Sequence, residues 1–200
     1  MGFSAARILR SFGGGMTARR AAGTAAVFAL LATGAMAQDA MSPPFIDEIR
    51  FGASASIQVD DIYEPGPFPW VTLYFDPLER DSATNFGEQL LRPRLNVGAM
   101  VSTTGEASQL LAGATWTVDV TESLFVEVGL GAALTNASLD GNDPGPQVGC
   151  SLLFHESIAA GYRIDANWSV IATVEHSSNA NICDENDGLT YAGLGLGYRF

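Results

Sequence analysis

The 200-residue chain contains no lysine: its ten basic residues are all arginine, against 22 acidic residues. Four of those arginines (Arg7, Arg10, Arg19 and Arg20) precede residue 38 and no acidic residue does, so Gln38 to Phe200 carries a net charge of −16. A segment so poor in cations offers nothing to a phosphate backbone, which excludes nucleic acid as a partner. The acidity by itself describes only a solvated surface. No apolar run reaches the roughly 20 residues a spanning helix needs, and nothing after residue 38 shows a helical stripe. No spacing of side chains amounts to a metal site, so no metal and no cofactor are expected. Cysteine is scarce too, with only Cys150 and Cys183.

What is present begins with an arginine-bearing start, the apolar run Ala21 to Ala32, and Ala35-Met36-Ala37 before Gln38. That order is a secretory signal over residues 1–37, with Met1 or Met16 as the start, leaving 38–200 as one domain. In an exported chain the two cysteines are expected to form a disulfide, with two free thiols as the alternative. Residues 38–200 are rich in alternating and apolar runs, and strands are predicted at 49–58, 69–76, 91–101, 108–119, 124–135, 151–163, 168–178 and 190–200. The connections 120–123 and 164–167 are short, whereas 136–149 and 179–188 are long and polar. Eight such strands with that loop asymmetry predict an all-β fold, an eight-stranded antiparallel transmembrane β-barrel of the outer membrane. The segment "DPLERDSATNFGEQLL" falls where a short turn is expected, and is read as a small helix or as a misplacement of the second and third strands.

The final strand alternates Ala192, Leu194, Leu196, Tyr198 and Phe200 with Gly193, Gly195 and Gly197. An apolar outer face over a crowded interior explains this, although a soluble lipid-binding barrel with its apolar face inward has the same period. In strand 168–178 the apolar face Trp168, Val170, Ala172, Val174 continues into His176 and Ser178, which places both toward lipid near the outer leaflet. One reading is that they lie just above the apolar band. The other is chemical: a loop centred near Asp184 sets Ser178 opposite Thr190 and His176 diagonal to it, and an imidazole among hydroxyls is what attack on an ester needs.

"HSSNA" at 176–180, "NDG" at 186–188 and the "GYRF" end at 197–200 resemble the outer-membrane lipid A 3-O-deacylases of the PagL type, also called acyloxyacyl hydrolases, over about 50 residues including "FHESIAAGYRIDANWSV". The resemblance implies an eight-stranded barrel with its site on the lipid-facing surface. It further implies Ser178 as nucleophile, His176 as its base, Asn179 as an oxyanion donor, and lipid A of lipopolysaccharide as substrate. The chain departs from the family pattern where a glutamate follows the NxG glycine by two residues, a position held here by Thr190. Threonine accepts a hydrogen bond but brings no charge, so Glu185 and Asp187 of the same loop stand as alternative orienting groups. Asp140, Asp143, Asp184, Glu185 and Asp187 would meet lipopolysaccharide phosphates only through bridging divalent cations. A Cys150–Cys183 bridge would tie the last loop beside the site. The expected function is therefore a cofactor-free esterase removing the 3-O-linked acyl chain of lipid A. A noncatalytic barrel of the same family and a soluble lipid-binding barrel are the alternatives, and a homodimer is left open.

Overall fold

The computed structural model describes residues 45–58, 63–140 and 145–200; the expected signal at 1–37 and Asp143 lie outside them. Eight strands run in chain order: β1 (Glu48–Ser56), β2 (Pro67–Phe75), β3 (Arg94–Met100), β4 (Gln109–Asp119), β5 (Leu124–Thr135), β6 (Leu152–Arg163), β7 (Trp168–Ser178) and β8 (Leu189–Arg199). Each pairs antiparallel with its chain neighbour, and β1 closes on β8 from Glu48↔Arg199 to Ser56↔Tyr191. Closure leaves no unpaired sheet edge, the condition for a sheet to stand in hydrocarbon. No described helix is long and apolar enough to cross a membrane, so any crossing is made by strands.

Turn chemistry sets the two ends. Between β6 and β7 the carboxylate of Asp165 accepts the N–H groups of Asn167 (2.9 Å) and Trp168 (2.8 Å), a side chain mimicking a backbone turn. Those two donors hold its pKa below the usual aspartate value. The segment after β2 contains a short helix, α1 (Phe86–Leu90), so the small-helix reading holds and β2 and β3 lie close to their predicted places. Asn85 caps α1 by accepting the Glu88 N–H at 3.0 Å, while Glu88 reaches back to the Thr84 N–H at 2.8 Å.

Inside and outside differ sharply. Near the end carrying the short turns, Arg50 and Arg94 are buried with Glu48 and Glu127. Arg50 bonds both oxygens of Glu127 (2.5 and 3.0 Å) and Glu48 (2.7 Å); Arg94 bonds Glu48 (2.5 Å) and Glu127 (2.9 Å). Toward the long loops the interior turns apolar, with Phe68, Trp70, Met100, Leu153, Leu189 and Tyr191 packed together. Room for these rings comes from glycine: a Cβ on Gly161 would stand 2.0 Å from the Phe125 ring, and one on Gly195 2.4 Å from Trp70. The remaining interior cavities hold about 30–50 Å³, enough for a water but not for an acyl chain. Among the described residues this filled, partly charged interior, under an apolar outer face, is the reverse of the inward apolar face expected of a soluble lipid-binding barrel.

Candidate active site

Strand alternation decides which side chains meet lipid. In β6 the outward residues are Leu152, Phe154, Glu156, Ile158, Ala160 and Tyr162; in β7 they are Trp168, Val170, Ala172, Val174, His176 and Ser178; in β8 they are Thr190, Ala192, Leu194, Leu196 and Tyr198. Outward positions of β1 to β5 are apolar throughout: Ile49, Phe51 and Ala53, for example, or Val126, Val128 and Leu130. The polar residues on the outer face of the eight strands are therefore Glu156, His176, Ser178 and Thr190. They are contiguous. Glu156 pairs with His176 across β6 and β7, His176 pairs with Thr190 across β7 and β8, and Ser178 stands one outward step above His176, paired with Phe154.

This register corrects the predicted hairpin. His176, not Ser178, lies directly opposite Thr190, because the loop is centred one residue earlier, at Cys183. The Nδ1 of His176 is 2.8 Å from Thr190 Oγ1. With Nδ1 so engaged, Nε2 is the nitrogen left for chemistry. The ring also lies over Gly188, where a Cβ would stand 2.8 Å from His176 Cε1, and Gly188 has a φ of +69° that itself requires glycine. Gln58, just past β1, braces this corner: its amide donates to the Gly188 carbonyl at 2.8 Å and accepts the Thr190 N–H at 3.2 Å. Ser178 is half-buried and its hydroxyl has no hydrogen bond among the described residues. Its neighbour Ser177 faces inward, 1% exposed, donating to Gln109 at 2.8 Å and lying 3.0 Å from His155 Nδ1.

The remaining expected residues are placed differently. Asn179 is 2% exposed, and its amide donates to the carbonyls of Val148 (2.7 Å) and Glu185 (2.5 Å), so both N–H bonds are spent on the loop. Its Oδ1 accepts the Ile182 N–H at 3.1 Å, and its backbone N–H goes to Asn186 Oδ1 at 2.9 Å. Asn179 thus organises the loop, and its side chain keeps no donor for an oxyanion. Asp187 is engaged with Gln147, accepting its N–H at 2.7 Å and returning a backbone bond of 2.9 Å. Glu185 is exposed, and neither carboxylate bonds His176. Cys150 and Cys183 form the expected disulfide, with Cα atoms 6.1 Å apart, and join the β5–β6 and β7–β8 loops beside the site. Among the described residues no group of side chains is arranged to hold a metal ion.

A surface groove of about 450 Å³ runs past these residues, lined by Leu130, Phe154, Glu156, His176, Ser178 and Ala180. Two members of this site escape a reading by motif. Glu156 carries its signal in period alone, as the one polar residue on the apolar face of its strand. Gln58 carries none, since it reaches β8 only through barrel closure.

Residues 113–199 match the family model for lipid A 3-O-deacylase (PagL). Over residues 113–199, a little under half of its length, the chain is similar to the PagL-type family. The matched segment contains all four outward polar residues and both cysteines. Among solved structures, the crystal structure of the outer membrane enzyme PagL is 20% identical with a TM-score of 0.55, covering 76% of this chain and 99% of that one. A de novo designed transmembrane β-barrel is 14% identical (TM-score 0.46, 80% and 98% covered), and the Yersinia pestis outer membrane protein Ail is 15% identical (TM-score 0.44, 78% and 99% covered). A search of curated protein sequences finds no match. The likeness to the PagL structure shows the fold, a closed eight-stranded antiparallel β-barrel.

Proposed function

We propose that the protein is a serine esterase that removes the 3-O-linked acyl chain from lipid A at the outer surface of the barrel, with Ser178 as nucleophile and His176 as general base. One observation carries this reading: the outward faces of eight strands are apolar except at one spot, and that spot holds a serine, a histidine and a hydrogen-bond partner for the histidine. Polar groups facing hydrocarbon are costly and persist where they have work to do. The row lies two residues below the end of β7, about 5 Å beneath the barrel rim at 3.3 Å per residue and a 40° tilt.

The chemistry follows from the donors and acceptors. Ser178 Oγ attacks the ester carbonyl and its proton passes to His176 Nε2. The imidazolium that forms donates from Nδ1 to Thr190 Oγ1, which keeps the ring in the orientation the transfer needs. Collapse of the tetrahedral intermediate expels the sugar alkoxide, which takes the proton back from Nε2, and leaves the acyl chain on Ser178. Water, activated by the same histidine, then hydrolyses the acyl-enzyme. The backbone N–H of Ala180, in a left-handed turn at the groove wall and without a protein acceptor, is the donor available to the oxyanion. Leu130 and Phe154 give the departing chain an apolar bed. No step calls for a cofactor.

The threonine in place of the family's glutamate favours a second reading, a barrel that keeps the scaffold without turnover. Both are tested by incubating the refolded protein and Ser178→Ala with lipid A and following the 3-linked hydroxyacyl chain by mass spectrometry. Release by the first and not by the second establishes the esterase. No release from a folded barrel, across several lipid A forms with Ca²⁺ supplied, leaves the scaffold.

A further inference from the structure

We propose that Glu156 supplies the negative charge of this site, acting on His176 from β6, the strand opposite the one that carries Thr190. The inference rests on the esterase reading above and adds a residue to it. Glu156 is the one charged side chain on the outward faces of the eight strands, and it is exposed there. A carboxylate facing hydrocarbon costs free energy with no structural return, so its presence calls for a partner. The candidates are few. The chain has no lysine, and its arginines after residue 38 are Arg50, Arg80, Arg92, Arg94, Arg163 and Arg199. All of these lie at the short-turn end of the barrel or in its interior there. On its own face Glu156 has one neighbour able to carry positive charge, the directly paired His176.

Directly paired residues on one face of a sheet hold their Cβ atoms about 4.5–5.5 Å apart, and both side chains line the same groove. His176 Nδ1 is turned to Thr190 on β8, while Glu156 is paired with His176 from the opposite strand, β6. When the ring takes the Ser178 proton, its new charge lies between a hydroxyl on β8 and a carboxylate on β6. The two strands thereby divide what one glutamate does elsewhere in the family: Thr190 sets the ring's orientation and Glu156 balances its charge. Glu156 is a positioning residue in this scheme, since it works through His176 and not on the ester.

The test compares wild type, Glu156→Gln, Glu156→Asp and the double variant Glu156→Gln/Thr190→Glu in refolded form, each checked for the heat-modifiable gel migration of a closed barrel. Two readouts are taken: kcat and KM for lipid A deacylation, and the rate at which a long-chain alkyl fluorophosphonate labels Ser178. The expected result is a loss of about 30-fold or more in kcat and labelling rate for Glu156→Gln with KM within twofold. Glu156→Asp retains at least a third of wild-type activity, and the double variant recovers at least tenfold over Glu156→Gln by restoring a charge from the opposite side. Activity of Glu156→Gln within threefold of wild type, a loss confined to KM, or a double variant no better than the single overturns the role. Wild type without Ser178-dependent release overturns the esterase reading and this inference together, whereas an active wild type with an indifferent Glu156→Gln overturns this inference alone.

Discussion

Replacing Thr190 by valine keeps the shape of the side chain and removes one oxygen, the acceptor 2.8 Å from His176 Nδ1. A hydrogen bond between a neutral imidazole and a hydroxyl contributes about 0.5–1.5 kcal/mol. In the transition state the ring is cationic, and a hydrogen bond from a charged group is stronger, about 1.5–3 kcal/mol. Only the difference between the two, about 1–1.5 kcal/mol, is lost from the barrier, which corresponds to a loss of about 5- to 13-fold in kcat/KM. It falls on kcat, because the bond strengthens only as the proton arrives, and KM stays near its original value. This is far short of the roughly 10⁴-fold that follows when a buried orienting acid is neutralised in a Ser-His-Asp site, since threonine never supplied a charge. Lipid A deacylation is followed by mass spectrometry over time, with gel migration confirming the closed barrel. A folded Thr190→Val protein within threefold of wild type would refute the assignment of Thr190 as the group that orients His176.

Two further outcomes follow from the barrel. Glu127→Gln leaves Arg50 and Arg94 with Glu48 as their one buried carboxylate and turns one of the two oxygens that accept three arginine bonds and the Thr117 hydroxyl (2.8 Å) into an amide donor. Breaking a buried pair on one side costs about 3–5 kcal/mol, measurable as a lowered urea midpoint for the vesicle-inserted protein; a change below about 1 kcal/mol would contradict the described network. Opening the Cys150–Cys183 bridge with the double Cys→Ser variant releases a loop closed over 33 residues. The chain-entropy model gives that closure about 3–4 kcal/mol, so thermal unfolding moves down and thermolysin nicks the 179–188 loop sooner, whereas an unchanged cleavage rate would show that Asn179 and the Gln147–Asp187 bonds hold the loop without the disulfide.

Much of this architecture is written locally. Period-two alternation placed all eight strands to within about three residues, since each side chain's face follows from pleating alone and needs no distant partner. The same parity put His176 and Ser178 on one outward face, and "HSSNA" with "NDG" carried the resemblance to the PagL-type deacylases. Alternation is silent on which face meets lipid. That was decided by packing: Trp70 and Phe125 occupy the interior against Gly195 and Gly161, and the arginine–glutamate cluster needs the enclosure that only a closed sheet provides.

Register was the second thing that local pattern could not supply. A one-residue difference in the centre of the last loop separates Ser178 opposite Thr190 from His176 opposite Thr190, and that centre is set by Asn179 bonding across to Val148, Glu185 and Ile182. The same commitment turned Asn179 from an expected oxyanion donor into the organiser of the loop, and the pairing of Asp187 with Gln147 removed it as an orienting acid. Glu156 and Gln58 join the site from β6 and from the end of β1, residues that stand 20 and 118 positions before His176 in the chain. Sequence alone determined which residues face outward on each strand, because that is a property of one strand. Which of them meet across strands was decided by the tertiary structure, because hydrogen-bond register between strands depends on loops, caps and closure that no single strand encodes.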